Sequence, residues 1–400
     1  MKKHYVLIGL LAASLTSAGQ RLDSAYKKQV LSKTDVQVMF SYYTQDNDHS
    51  AVTGGIGTES LQVYSPQIFI NHQSDSFNTI HIDGGVDIIS SASTDNIDFV
   101  VSSASKVDAR SHINVGYNRL LCDKQNRIGG NLVYSIESDY TSRGGGLTWS
   151  KVNPDQTREV SANVQVFFDD LRWGRFEGGK PVKLIYPVEL RNKEWFDSFK
   201  RNSFNFSFGI YQTINRRMAL GIYPGLSYQS GELATPFHRV YFTDNSERVE
   251  NLPESRLKIP IGVQLNSFLG SRWILRSYYR IYWDDFGIVA HTFSIESPIK
   301  AMRVLTFTPF VRLYTQTKAD YFKPYKQHDI RQQFYTSDYD LSGFTSYKTG
   351  IGIRYAPFNA QHRFTFKEVE LRYAYYKRSD GLAAHMITTY FSFNSQKKRK

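Results

Sequence analysis

The sequence predicts an all-β protein: a transmembrane, antiparallel, up-and-down β-barrel of about 16 strands, with 14–18 as the range that boundary drift allows. Three observations predict it. Apolar and polar residues alternate with a period of two almost everywhere, and no sustained 3.6-residue stripe interrupts them. The alternating runs are about 10–13 residues long, where strands of soluble proteins run about 5–6 and a tilted strand crossing a bilayer needs about 9–11. Connection lengths segregate by parity, with long outer loops and short periplasmic turns.

Composition sets the outer limits. The chain has 400 residues, a formal charge of +12, 15% aromatic residues and one cysteine. A single cysteine excludes a disulfide scaffold and a cysteine-based zinc or iron–sulfur site. The mean hydropathy of −0.42 excludes a helical membrane bundle. With 41% hydrophobic residues, disorder is excluded as well.

The elements follow in chain order. Residues 1–18 have the order of a cleaved signal peptide: basic Met1-Lys2-Lys3, apolar Tyr5 to Leu15, then small Thr16-Ser17-Ala18. Residues 19–33 are assigned to a periplasmic N-terminal segment, 34–394 to an outer-membrane barrel and 395–400 to a basic, solvated tail. Strands are predicted at 34–43, 59–71, 77–89, 109–118, 127–138, 143–152, 157–168, 202–214, 218–229, 257–268, 272–283, 286–296, 302–316, 344–356, 363–377 and 384–394. Their alternation is plain at Phe204, Phe206, Phe208 and Ile210 against Asn205, Ser207 and Gly209. Leu257, Ile259, Ile261, Val263 and Leu265 oppose Lys258, Gly262, Gln264 and Asn266 in the same way. Rings such as Trp273, Tyr279, Trp283, Tyr347 and Tyr355 mark strand ends, as an interfacial girdle requires. The long connections are 44–58, 90–108, 169–201, 230–256 and 317–343, and all follow odd-numbered strands. The last strand ends its alternation on aromatic Phe391 and Phe393, a pattern that assembly machinery reads at the C-terminal strand of outer-membrane proteins. Cys122 falls in a periplasmic turn as a free thiol.

The inward faces carry the candidate chemistry. In the C-terminal half they hold a basic stripe of Lys258, Arg276, Arg280, Arg312, Lys348, Arg354 and Arg372 against Glu296, Glu368 and Glu370. The N-terminal half is mostly neutral, as at Asn114, Asn131, Ser161, Asn163, Asn205 and Ser207. A cationic wall in a narrow polar channel concentrates anions. The same charges are also compatible with internal ion-pair ladders, and Glu368 and Glu370 between basic strands favour the ladder. Acids gather at strand tops and outer loops: Asp46 and Asp48 beside His49, Asp169, Asp170, Asp284 and Asp285 at the outer mouth, and Asp338 with Asp340. They match no defined metal or catalytic spacing, and no histidine pair has ligand spacing, so no cofactor, metal or catalytic residue is assigned. Thr53-Gly54-Gly55-Ile56-Gly57 lacks the Lys-Ser/Thr of a phosphate loop. The lysines and arginines are dispersed, so nucleic acid is not an expected partner. Outer-membrane lipid is.

Four stretches carry a resemblance. They are Ser41-Tyr42-Tyr43 with Asp46-Asn47-Asp48, Gly85-Val86-Asp87-Ile88-Ile89-Ser90-Ser91-Ala92-Ser93, Ser102-Ser103-Ala104-Ser105 with Asp108, and Tyr134-Ser135-Ile136-Glu137-Ser138-Asp139-Tyr140. The chain resembles an uncharacterised family of Gram-negative envelope proteins defined only as a domain of unknown function. The resemblance implies an outer-membrane barrel and supplies no activity. The paired Ser-Ser-Ala-Ser stretches bracket 90–108, which is either an ordinary polar loop or an inward constriction.

The sequence therefore predicts an exported, porin-like barrel of the outer membrane that is not an enzyme. A channel or transport-related barrel with modest anion bias leads. A surface or structural barrel binding a partner through long outer loops, and an outer-membrane hydrolase using loop acids, are the alternatives.

Overall fold

The computed structural model describes residues 32–93, 107–137, 140–171, 175–177, 180–182, 200–235, 238–358 and 364–397. The predicted signal peptide at 1–18, residues 19–31, most of the 90–108 loop with Ser102-Ser103-Ala104-Ser105, most of 169–201 and residues 398–400 lie outside the described residues. Sixteen strands form one wall. They are β1 (Ser32–Asn47), β2 (Glu59–Gln73), β3 (Asn78–Ser93), β4 (Val107–Leu120), β5 (Asn126–Glu137), β6 (Tyr140–Val152), β7 (Arg158–Asp170) and β8 (Lys200–Asn215). The second half adds β9 (Met218–Gly231), β10 (Ser255–Phe268), β11 (Ile274–Asp284), β12 (Val289–Glu296), β13 (Leu305–Gln316), β14 (Phe344–Tyr355), β15 (Phe364–Arg378) and β16 (Ala383–Lys397). A two-residue segment, Ile299–Lys300, extends the twelfth stave and pairs with Phe307 and Thr306 of β13.

Each strand pairs antiparallel with its sequence neighbours, and β1 closes on β16 from Ser32↔Lys397 to Asp46↔Ala383. Closure leaves no unpaired edge, which hydrocarbon would penalise by several kcal/mol per amide. The pleat then separates the two faces. Ile261 opposes Ile281 and Val263 opposes Tyr279 on the outside, while Gly262 opposes Arg280 on the inside. Leu132 and Leu147 are 74% and 71% exposed, a degree of apolar exposure that suits lipid and not water. Each such side chain gains about 1.5–3 kcal/mol on leaving water.

Rings bound this apolar band above and below. Phe168, Tyr228, Trp283 and Tyr347 lie toward the long-loop end, and Tyr117, Trp149, Phe268 and Tyr355 toward the short-turn end. Their polar edges reach the turns: Trp149 Nε1 donates to Asn126 Oδ1 at 3.1 Å, and Trp273 Nε1 donates to Ser297 Oγ. The short turns are closed by aspartates. Asp75 Oδ1 accepts from the Phe77 and Asn78 amides at 2.7 and 2.8 Å. Hydrogen bonds from Asn78 to Asp75, from Asn126 to Asp123 and from Thr157 to Asp155 hold these carboxyls below the usual value. Cys122 is an exposed free thiol in one of these turns.

The sequence-predicted strands all correspond to staves of the wall, with shifted ends. β1 begins at Ser32 rather than 34, and β16 runs to Lys397, so Ser395-Gln396-Lys397 is paired strand rather than solvated tail. β12 begins at Val289 rather than 286, because Asp284 Oδ1 accepts from the Phe286 and Ile288 amides and makes Asp284–Ile288 a tight turn.

Two long outer loops fold together over the inner face of the wall. Phe286, Ile288 and Ala290 pack with Leu252, Ala319, Phe322 and Leu341 in a buried cluster, with Tyr282 and Tyr314 against its edge. A hairpin, Arg239–Tyr241 with Glu247–Val249, adds a second cluster of Val240, Phe242 and Tyr335. Bridges Phe242↔His328 and Asn251↔Tyr335 tie the two loops by backbone hydrogen bonds. We refer to this assembly as the cap.

A lumen with one cationic wall beneath a loop cap

The seven predicted basic residues all fall on the inner face of β10–β15. Register makes this unambiguous, since each shares a cross-strand row with inward partners while the alternate positions carry the exposed apolar belt. Lys258, beside the cap, donates to Gln229 Oε1 at 2.6 Å. Below it the charges are linked. Arg276 and Arg372 both bind Glu296, at 3.0 and 2.8 Å, and Arg372 also reaches Glu370 at 3.3 Å. Arg354 pairs with Glu368. The predicted ladder is therefore present at Arg276, Arg354 and Arg372. Arg280, Arg312 and Lys348 lie on the same face between this ladder and the cap. Among the described residues Lys348 has no carboxylate within 4.0 Å.

Glycine makes room for this arrangement at Gly350. A Cβ there would collide with the Tyr373 carbonyl and the Phe310 ring. The freed space holds that ring under the Arg372 guanidinium, 4.8 Å from the centroid.

The facing wall differs from the expectation of a mostly neutral surface. Asn114, Asn131, Ser161, Asn163, Asn205 and Ser207 do point inward, but so do His81, Asp83, Asp87, Arg110 and His112. Asn114 Nδ2 donates to Asp83 at 3.0 Å, and Asn131 Nδ2 continues the chain to Asn114 at 2.9 Å. Ser65 Oγ donates to Asp87 at 2.5 Å, and Arg110 Nε donates to Ser135 Oγ at 2.8 Å. β3 and β11 are eight strands apart in a ring of sixteen, so these acids face the basic stripe across the lumen. The alternation around Ile80, Ile82 and Ile88 already placed His81, Asp83 and Asp87 on the inner face. That signal was present in the sequence.

The six outer-mouth acids are not brought together. Asp46 and Asp48 are exposed at the top of β1. Asp169 is buried and accepts from Arg201 Nε at 2.9 Å, while Asp170 lies at the outward end of β7. Asp284 is fully buried and accepts from Tyr282 Oη at 2.7 Å and Arg256 Nε at 3.0 Å, whereas Asp285 is exposed. The three pairs sit on three separated strands, and Asp169 and Asp284 serve structural ion pairs. The geometry gives the hydrolase alternative no support.

A second polar cluster lies inside the cap; of its members the sequence marks only Asp338, among the outer-loop acids. The Glu250 carboxylate accepts from Thr336 Oγ1 and from the Thr235 amide at 2.7 Å. His238 Nδ1 stands 3.6 Å from Glu250 and 4.0 Å from Asp338. Burial alone would lower the imidazole pKa, but the nearby Glu250 carboxylate, with Asp338 behind it, outweighs burial and raises it. Burial, then the charges of Asp340 and Glu250, push the Asp338 carboxyl up to about 6 against the pull of His238.

Over residues 87–388 the sequence matches the family described as Protein of unknown function (DUF3570). No curated protein matches it. Among solved structures, OpdQ from Pseudomonas aeruginosa is similar over 91% of this chain and 99% of its own, at 8% identity and a TM-score of 0.42. A bacterial polysaccharide outer membrane secretin aligns over 91% and 98% at 8% identity and 0.45. A BenF-like porin from Pseudomonas fluorescens Pf-5 aligns over 90% and 98% at 6% identity and 0.40.

Proposed function

The chain belongs to the DUF3570 family of proteins of unknown function, and we propose that it is a solute channel of the outer membrane with a modest preference for anions. One observation carries this reading. The inner wall of β10–β15 holds the seven predicted bases against Asp284, Glu296, Glu368 and Glu370; Asp284 is engaged by Arg256, and the three glutamates by Arg276, Arg354 and Arg372. The surplus charge faces a polar lumen, where it raises the local anion concentration. The acids Asp83 and Asp87 on the facing wall keep the preference modest. Membrane-length strands, the outward apolar belt and long loops at one end support the outer membrane as the location, reached by a signal peptide at 1–18.

The test is planar-bilayer recording of the purified barrel across a salt gradient. A reversal potential on the anion side supports the proposal, and Arg276→Ser with Arg312→Ser shifts it toward the cation side. A folded barrel that passes no ions overturns it.

The cap favours a second reading, a surface barrel that engages a partner through its outer loops. Ile330 is 43% exposed next to Arg331, on the loop that carries the cap. Deletion of 327–333 should abolish such binding while leaving the wall folded. Assembly machinery would read the last strand in either case.

A further inference from the structure

We infer that the lumen contains a discrete oxyanion subsite centred on Lys348 and Arg312, an inference that rests on the channel reading and narrows its solute class. The register of the inner wall points to it. Where inward bases lie directly opposite a charged residue, that residue is elsewhere an acid: Arg110↔Asp87, Arg201↔Asp169, Lys258↔Asp284, Arg276↔Glu296 and Arg354↔Glu370. The β13–β14 pair breaks this rule, because Arg312 lies directly opposite Lys348. Directly opposed side chains have Cβ atoms about 4.5–5.5 Å apart, and like charges at that spacing destabilise a sheet.

The surroundings fit a bound anion. Ser294 is the inward neighbour of Arg312, and Tyr376 that of Lys348, so hydroxyl donors flank the two cations. Phe310, the next inward residue below Arg312, carries the Arg372 guanidinium on its ring. Tyr314, the next above, packs against the cap. Aromatic floor and roof reduce the competing water, which strengthens a charge interaction made between them. A guanidinium offers two parallel donors that match the paired oxygens of a carboxylate or phosphate and an ammonium adds a point charge, whereas spherical chloride has no oxygen pair to match that fork. The ligand chemistry is therefore an oxyanion, carboxylate or phosphate.

Thermal unfolding of the detergent-folded barrel at equal ionic strength in sodium chloride, sodium acetate and sodium phosphate tests this. A rise in Tm on the order of 2–4 °C over chloride is expected in acetate or phosphate, and the salt that gives it names the group. Lys348→Glu pairs Arg312 within the wall, so it should raise Tm in chloride and erase the acetate and phosphate response. Equal Tm values in all three salts overturn the subsite, as does a response that survives Lys348→Glu. The readout needs no ion flow. A barrel that binds acetate yet conducts nothing would remove the channel reading and leave the subsite standing.

Discussion

The imidazole of His49 lies flat on the phenol ring of Tyr339, with centroids 4.0 Å apart and planes 5° apart. His49 follows β1, and Tyr339 belongs to the loop between β13 and β14, so one ring contact joins distant parts of the chain. Close by, Gly54 and Gly55 have positive φ, and any side chain there would strike Tyr241 and Tyr339. The first outer loop is thus pinned to the cap. A ring pair of this kind is worth about 0.5–1.5 kcal/mol beyond area burial. His49→Ala should accelerate proteolysis within 48–58 severalfold while the melting of the wall stays unchanged. Equal cleavage rates would show that the glycine contacts suffice.

The cap should be firmer in acid than in base. His238 has a raised folded pKa, so its contribution is complete below 6.5 and fades as pH rises through the folded value. Asp338 also has a raised folded pKa, so its contribution is complete below 3.8 and fades as pH climbs toward about 6. Both signs agree. Proteolysis of the loops at pH 9 should outpace that at pH 6, and His238→Gln should flatten the difference. A pH-independent rate for the unsubstituted protein refutes the assignment.

Asp284 is the anchor between wall and cap. It is fully buried and takes hydrogen bonds from Tyr282, Arg256 and two loop amides. Asp284→Ala strands Arg256 beside the Phe286 ring and should cost about 3–5 kcal/mol. Arg256→Met with Asp284→Leu should recover much of that loss. The measurement is chemical denaturation followed by Trp283 fluorescence.

The two faces of one strand should respond oppositely to the same charge. Val164 is on the lipid side and Asn163 on the lumen side of β7. Val164→Arg should destabilise the barrel by about 2–4 kcal/mol in lipid vesicles. Asn163→Arg should cost less than about 1 kcal/mol. Comparable losses would refute the division of this strand into a lipid face and a lumen face.

The wall was legible because a bilayer imposes two simple constraints, strand length and a period of two. Leu257 to Leu265 and Phe204 to Ile210 satisfy both without help from the rest of the chain. The cap obeys neither. Phe286 meets Phe322, and Phe242 meets Tyr335, each pair from two different loops, and these contacts have no periodicity to read. The one available signal was density of rings: 317–343 holds Tyr321, Phe322, Tyr325, Phe334, Tyr335 and Tyr339, too many for a loop wholly in water. The basic stripe was legible by face, but its ion pairs were not. That Glu296 would be shared by Arg276 and Arg372 depends on strands whose sequence positions are 76 residues apart.

The seam between β1 and β16 has a consequence for biogenesis. Thirty-two residues into the chain lies one lip of the joint, and Lys397 lies on the other. A cylinder that lacks β16 leaves the β1 edge unpaired, so the wall cannot be sealed before its last stave is present. Closure is thus the pairing of the first stave with the last, like a zip whose slider is the last piece to be fitted.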